Sequence, residues 1–241
     1  MRLLRSLAFT VGSLIALVVV SLLGMLTIPL PFKVRYAWVT RWAWFNLHWL
    51  RITCGIHYVI EGRENIPSEP CIVFSKHQST FETLALQMIL PPQAWVLKRE
   101  LLWVPIFGWG LAICRPIAIN RGAGRKAVKQ IVEQGIQRLK AGQWVLIFPE
   151  GTRVAPGEKK RYGLGGAILA EQSGYPVLPV AHNAGEFWRK KQFVKTPGTI
   201  RLVFGPMIES KGKEAQAINA EAEAWMEAKA GEISSRNKTV G

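Results

Sequence analysis

The sequence predicts an α/β protein whose mixed, largely parallel sheet is flanked by helices and preceded by an N-terminal membrane-attaching helical segment. Short apolar runs, such as residues 71–74 and 144–148, are typical of buried strands, and amphipathic stretches of helical length lie between such runs. Strands that alternate with helices favour parallel pairing. The helical segment is predicted because no charged residue occurs between positions 6 and 32.

Residues 7–28 are continuously apolar or small, and at about 1.5 Å per residue a helix of this length can span a bilayer core. Pro29 and Pro31 end this helix. The next stretch, residues 36–49, carries Trp at four positions, and tryptophan prefers the headgroup level of a membrane. We therefore expect a first helix in the bilayer and a second helix at its surface.

The remaining elements follow from local patterns. Ser-Thr-Phe-Glu at residues 79–82 has the form of a capping box and opens an apolar helix. Residues 124–141 place Val, Ile and Leu on one face and Arg, Lys and Gln on the other, which indicates an amphipathic helix. The predicted strands are residues 71–74, 94–97, 113–119, 144–148, 176–181 and 199–204, and the predicted helices are residues 81–90, 124–141, 163–173 and 215–230.

These elements divide the chain into membrane-associated helices (1–51), an α/β domain (52–210), and a C-terminal helix with a tail (211–241). The net charge of +15 predicts an anionic partner: a membrane leaflet, a nucleic acid or a phosphorylated small molecule. The long uncharged start argues against nucleic acid as the main partner. All 16 acidic residues are Glu, so any catalytic carboxylate must be Glu. The three scattered cysteines show no zinc pattern, and we expect no metal site.

His77 and Glu82 form the first candidate site, because His77 follows a predicted strand and Glu82 lies in the first turn of the next helix. On one continuous helix the two side chains would diverge, so their convergence requires His77 to lie in the loop. A carboxylate on one imidazole nitrogen fixes the tautomer and stabilises the imidazolium, which makes the other nitrogen a general base. The alternative is that Glu82 only closes the capping box and that His77 is a polar loop residue.

Two further stretches offer cations for a phosphate group. Phe-Pro-Glu-Gly-Thr-Arg at residues 148–153 ends a strand, at the edge of the sheet where ligands bind in open α/β folds. Arg153 is a permanently charged fork suited to phosphate, although a strand-end turn with a surface arginine is the alternative. Residues 115–125 combine glycines with Arg121 just before a helix, a position that favours anions.

Taken together, these blocks resemble those of the glycerolipid acyltransferase family over residues 66–180. His77 and Glu82 match the catalytic histidine and acid of its first block, with Glu in place of the usual Asp. Arg121 matches the phosphate-binding arginine of the second block, but Ala118 and Asn120 replace its usual aromatic and acidic residues.

The third block of the family is intact in this sequence. The resemblance implies that the acceptor is bound there by four residues: Glu150, Gly151, Thr152 and Arg153. A fourth block, at residues 177–180, resembles the strand that carries the family's proline.

The resemblance implies a membrane-bound enzyme in which His77 takes the proton from the free sn-2 hydroxyl of 1-acyl-glycerol-3-phosphate. The hydroxyl oxygen then attacks an acyl thioester and yields phosphatidic acid. The co-substrate is acyl-CoA or acyl carrier protein, with no cofactor, and the catalytic domain lies on the cytoplasmic side of the inner membrane. The alternatives are another lyso-lipid acceptor (such as a lyso-ornithine lipid), glycerol 3-phosphate, or a non-enzymatic basic lipid-binding protein.

Overall fold

The computed structural model describes residues 1–234, so residues 235–241 of the predicted C-terminal tail lie outside the described part of the chain. The helices are α1 (Arg2–Met25), α2 (Phe32–Cys54), α3 (Phe81–Ile89), α4 (Phe107–Ile113), α5 (Arg125–Lys140), α6 (Gly165–Ser173) and α7 (Ala215–Ile233). The strands are β1 (Ile56–Glu61), β2 (Ile72–Ser75), β3 (Gln93–Lys98), β4 (Ile117–Ile119), β5 (Trp144–Ile147), β6 (Val177–His182) and β7 (Gly198–Phe204).

The strands form one sheet in the order β1-β7-β6-β2-β5-β3-β4. Every neighbouring pair is parallel except β6 and β7, which confirms the prediction of a mixed, largely parallel sheet. At the centre, Val73 of β2 lies beside Leu146 of β5 on one side and Leu178 of β6 on the other. Because β2 and β5 are parallel neighbours, the segments that follow them begin at the same edge of the sheet.

Helices cover both faces of the sheet. One face packs against α2 and α3 through a core that includes Leu50 and Leu84. The other face packs against α5, α6 and α7, and the predicted apolar stripe of α5 is buried there at Ile131, Val132 and Leu139. All residues of β2, β5 and β6 are buried, which agrees with the continuous apolar character of central parallel strands.

Two strand predictions differ from the structure. The predicted strand 113–119 is a strand only from Ile117, because Ile113 ends α4 and Arg115 then takes a φ of +51°, outside the extended conformation of a strand. The edge strand β1 has no counterpart among the predicted elements. It exposes several of its side chains, so it lacks the continuous apolar run that identifies a central strand.

Helices α1 and α2 form a tightly packed pair. The indoles of Trp38, Trp42 and Trp49 donate hydrogen bonds of 2.9–3.3 Å to backbone carbonyls of α1. Their polar N–H groups join the two helices, and the prediction that the rings lie at the headgroup level stays a prediction. Helix α2 also continues through the predicted boundary at residue 51 to Cys54, and the three-part division of the chain stays a prediction.

The pair is also fastened to the α/β domain. The ammonium of Lys195 lies 4.9–5.4 Å from the ring centroids of Phe9, Trp188 and Phe193, and the Lys195 backbone N–H donates to Ser6 Oγ at 2.9 Å. Cation–π contacts of this kind are strongest where water is excluded, and Lys195 is buried. The first turns of α1 are thus held against the domain that carries the candidate site.

Candidate active site

The loop between β2 and α3 brings His77 and Glu82 together. His77 Nδ1 lies 2.8 Å from Glu82 Oε1, and the Glu82 side chain is fully buried whereas His77 is 15% exposed. The two side chains converge because His77 precedes the helix and Glu82 lies in its first turn, as the sequence predicted. A partly open imidazole on a buried carboxylate is a suitable arrangement for a general base.

Glu82 also holds the loop itself. Its Oε1 accepts the backbone N–H groups of Gln78 at 3.0 Å and Ser79 at 2.9 Å, and Ser79 Oγ accepts the Phe81 N–H at 3.2 Å. These bonds are those of a helix-capping arrangement. The carboxylate therefore binds the backbone at the helix start and also contacts His77, so it does more than close a capping box, and the role of His77 as a base stays a prediction.

A second buried histidine lies behind Glu82. His182 Nε2 is 2.8 Å from the Lys76 carbonyl and 3.8 Å from Glu82 Oε2, while His182 Nδ1 accepts the Ala184 N–H at 3.2 Å. These partners fix the neutral Nε2–H tautomer, and burial lowers the pKa of His182. Burial opposes the ionisation of Glu82, but its contacts with His182, His77 and Ser79 outweigh burial, and the pKa of Glu82 lies below its ordinary value.

The His77 ring is fixed on its face as well as at its edge. It stacks on Phe148 with a centroid separation of 3.9 Å and an interplanar angle of 14°. Nδ1 is engaged by Glu82, which leaves Nε2 as the nitrogen that can take or give a proton. The ring is therefore oriented before any substrate binds.

Glu150 is engaged by partners inside the protein. Its Oε2 accepts the backbone N–H of His77 at 2.7 Å and its Oε1 lies 2.5 Å from the ammonium of Lys76. Glu150 is buried, and burial raises its pKa although Lys76 acts in the opposite direction. One oxygen is hydrogen-bonded and the other is ion-paired inside the protein, so this carboxylate holds the loop of His77, and its contact with the acceptor stays a prediction.

The other residues of the third block lie beside the histidine. Gly151 takes a φ of +67°, which glycine adopts without strain, and its carbonyl accepts a hydrogen bond from the Arg121 guanidinium. Thr152 Oγ1 and the Arg153 carbonyl accept from Lys190 Nζ at 3.3 and 3.1 Å. The structure thus joins the second and third blocks, which are distant in sequence, at one side of His77.

His77, Arg121 and Arg153 line a common cavity of about 220 Å³. The rest of its wall is largely apolar and comes from both the helix pair and the α/β domain. Representative wall residues are Leu17 and Val20 of α1, Trp42 of α2, Leu97 of β3 and Leu111 of α4. The cavity wall therefore combines a histidine and two arginines with apolar space suited to a hydrocarbon chain.

Sequence reasoning missed three polar residues next to this site: Lys76 and His182, which are buried, and Glu227, which is partly buried. Lys76 had a detectable signal, because a lysine directly between a buried strand and the candidate histidine needs an anionic partner. His182 ends a buried strand, but its neighbours in sequence do not indicate Glu82 as its partner. Glu227 lies on a polar, alanine-rich helix, and nothing distinguishes it from the other glutamates of that helix.

Comparison with known proteins places these features in a family. Residues 57–183 match the family model described as Acyltransferase. The 1-acyl-sn-glycerol-3-phosphate acyltransferase of Pseudomonas aeruginosa is 49% identical over 209 residues, which are 85% of this chain and 81% of that one. The protein of the same name from Saccharomyces cerevisiae is 30% identical over 147 residues, 59% of this chain and 48% of the yeast chain.

The fold has a close counterpart among solved structures. The crystal structure of the 1-acyl-sn-glycerophosphate acyltransferase of Thermotoga maritima superposes with a TM-score of 0.80, covers 97% of both chains and is 22% identical. This likeness supports the fold. The match of more than half of the chain to the family model and its close identity to the Pseudomonas protein show that this chain belongs to the Acyltransferase family.

Proposed function

We propose that the protein transfers a fatty acyl group from a thioester to the free sn-2 hydroxyl of 1-acyl-glycerol-3-phosphate and so forms phosphatidic acid. The observation that carries the proposal is the shared cavity, which is lined by His77, two arginines and an apolar wall, with Glu82 bound to His77 behind it. A base, a phosphate site and space for a hydrocarbon chain are what acylation of a lysophospholipid requires. The names of the Pseudomonas and yeast relatives support the same acceptor.

In the proposed reaction, Nε2 of His77 takes the proton from the acceptor hydroxyl while the hydroxyl oxygen attacks the thioester carbonyl. The C–S bond then breaks, and the thiolate takes the proton back from the imidazolium. Glu82 accepts the hydrogen bond from Nδ1–H throughout and stabilises the imidazolium. Positioned base catalysis of this kind contributes a factor of about 10²–10⁴. No acyl group is attached to the enzyme at any step.

Arg121 and Arg153 are proposed to bind the phosphate of the acceptor. Both residues line the cavity that His77 lines, so a phosphate held by them lies near the base. Arginine suits this role because its planar fork can donate two parallel hydrogen bonds to phosphate oxygens. Gly151 supports Arg121 by accepting its hydrogen bond, and contact of Gly151 and Thr152 with the acceptor stays a prediction.

The acyl donor is proposed to be acyl-CoA or acyl carrier protein, which serves as a co-substrate. Either thioester would place its carbonyl at His77 and its hydrocarbon tail along the apolar wall. No cofactor takes part in the proposed reaction.

Helix α1 is long and apolar enough to cross a membrane by length and composition. Apolar side chains exposed at Leu3, Leu7, Leu14 and Val18 recur at helical spacing, whereas Leu17 of the same helix lines the cavity. We propose that the exposed apolar side chains of α1 contact the bilayer, while Leu17 and Val20 form part of the cavity wall. Lys and Arg flank α1 at both ends and fit the anionic inner leaflet, which would place the site on the cytoplasmic side of the inner membrane.

The test is an acyl-transfer assay on vesicles with lysophosphatidic acid, a lyso-ornithine lipid and glycerol 3-phosphate as competing acceptors. We expect phosphatidic acid as the main product of the wild type, and a loss of at least about 10²-fold in His77→Ala. Preference for one of the other acceptors would overturn the assigned substrate. Equal turnover by wild type and His77→Ala would overturn the mechanism, and absence of transfer with every acceptor would favour a lipid-binding protein.

A further inference from the structure

A buried ammonium group lies between two carboxylates next to the loop of His77. Lys76 is 2% exposed, and its Nζ lies 2.5 Å from Glu150 Oε1 and 2.6 Å from Glu227 Oε1. The hydroxyl of Tyr162 donates to the same oxygen of Glu227 at 3.1 Å. Glu227 lies on α7, so the C-terminal helix supplies one side of this cluster although it is 151 residues from Lys76 in sequence.

The cluster reaches His77 through an ion pair and a hydrogen bond. Glu150 contacts Lys76 with one carboxylate oxygen and accepts the His77 backbone N–H with the other. The carbonyl of Lys76 is itself held by His182 at 2.8 Å. A continuous path of contacts therefore runs from Glu227 through Lys76 and Glu150 to the backbone of His77.

The charges of the cluster depend on one another. The two carboxylates lie on either side of the Lys76 ammonium, which offsets the negative charge of both. Without Glu227, Lys76 keeps only one of its two anionic partners, and its long side chain loses a fixed position. Glu150 would then hold the His77 backbone less rigidly, because its own partner has become mobile.

The cluster lies apart from the proposed substrate site. Lys76 and Glu227 line a second, polar cavity of about 210 Å³, whereas His77, Arg121 and Arg153 line the apolar one. A change at Glu227 should therefore alter the placement of the base and leave the substrate-binding surface as it is. The expected signature is a lower kcat with unchanged KM values.

We propose that Glu227, acting through Lys76 and Glu150, is a positioning residue for His77, so that α7 completes the active site. This inference rests on the proposed function, because His77 needs positioning only if it acts as the base. Misplacement of a reacting group by a fraction of an ångström to about 1 Å costs up to about 10²-fold in rate. We therefore expect a loss in kcat of about tenfold when the contact of Glu227 with Lys76 is removed.

The experiment compares Glu227→Ala and Glu227→Gln with Glu221→Ala as the matched control. Glu221 lies on the same helix and pairs with Lys213 at 2.7 Å, but both partners are exposed. We expect kcat to fall by about tenfold in Glu227→Ala and by about threefold in Glu227→Gln, which keeps an oxygen for Lys76 but no charge. Glu221→Ala should match the wild type, and the KM values for donor and acceptor should stay within about twofold in all variants.

Three results would overturn the inference. In the first, both Glu227 variants have the same kcat as Glu221→Ala. In the second, the KM values rise by the same factor as kcat falls, and in the third, Glu221→Ala loses as much activity as Glu227→Ala. If Glu227→Ala does not fold, the kcat and KM values of Glu227→Gln, compared with those of Glu221→Ala, are sufficient to test the inference. Any of them leaves the proposed function intact as long as wild type makes phosphatidic acid and His77→Ala does not. A wild type without transfer would instead remove the proposed function.

Discussion

Replacement of Glu82 by Gln removes one buried negative charge beside His77 and keeps the size of the side chain. The amide oxygen can still accept from His77 Nδ1, which lies 2.8 Å from the carboxylate, but the imidazolium loses its counter-charge. A hydrogen bond to a charged group contributes about 1.5–3 kcal/mol, and 1.4 kcal/mol is about a factor of ten in rate. We expect kcat to fall by about tenfold to 150-fold.

The same replacement should reduce stability. Glu82 accepts the Ser79 N–H with both oxygens, at 2.9 and 3.1 Å, and the amide nitrogen of Gln would place a donor against that donor. A buried donor without an acceptor costs about 1–3 kcal/mol, so the free energy of unfolding should fall by this amount. Loss of kcat and loss of stability are separate readouts, because turnover is measured at a temperature where both proteins are folded.

The assay is thiol release from the acyl donor at saturating lysophosphatidic acid, with urea unfolding as the stability measurement. Glu133→Gln is the matched control, since Glu133 is exposed on α5 and only approaches Lys129 at 3.6 Å. We expect the control to change neither quantity measurably, because exposed pairs of this kind contribute little. A Glu82→Gln variant that keeps kcat within about twofold of wild type would refute the role assigned to the carboxylate.

Three other predictions follow from the same geometry. Arg153→Ala should raise the KM for lysophosphatidic acid by at least about tenfold, because a charge-assisted hydrogen bond to the phosphate is lost. The KM for the donor should not change. An equal rise in both KM values would contradict the assignment of Arg153 to the phosphate. Gly110→Leu should favour shorter acyl chains in a competition between donors. The reason is that Gly110 lines the cavity, where even an added Cβ would lie 2.8 Å from Ser21 Oγ. An unchanged chain-length profile would exclude this part of the wall from acyl binding. Finally, the pKa of Glu82 is lower in the folded protein than in the unfolded chain, where it is about 4.3. The ionised Glu82 therefore stabilises the fold above that pH. This stabilisation is lost on further acidification, because the unfolded chain then binds more protons than the folded protein. Unfolding free energies measured between about pH 6 and pH 3 should therefore depend less on pH in Glu82→Gln than in wild type, and identical curves would show that Glu82 is not stabilised in the folded state.

The sequence was most informative where local pattern and tertiary structure impose the same requirement. The central strands are buried on both faces, so they need continuous apolar residues, and β2, β5 and β6 were all anticipated on this basis. The convergence of His77 and Glu82 was also predictable. Both residues lie within one loop and one helical turn, where spacing alone limits the directions of the side chains.

Contacts between distant segments left little trace in the sequence. The partners of Glu150 are Lys76 and the His77 backbone, and a motif that ends in an arginine gives no indication that its glutamate points into the protein. The tryptophans of α2 have the composition of a membrane-surface helix, yet the Trp49 indole donates to a carbonyl of α1. An indole N–H satisfies the same physical need at a lipid headgroup or at a neighbouring helix, so composition could not distinguish the two.

The central claim is that His77 activates the acceptor hydroxyl for direct attack on the thioester. The most direct measurement is single-turnover thiol release from an acyl donor, with and without lysophosphatidic acid, in wild type and in His77→Ala. We predict release by wild type only when the acceptor is present and no fast release by His77→Ala under either condition. A burst of one thiol per enzyme without acceptor, or acceptor-dependent release by His77→Ala at the wild-type rate, would contradict the claim.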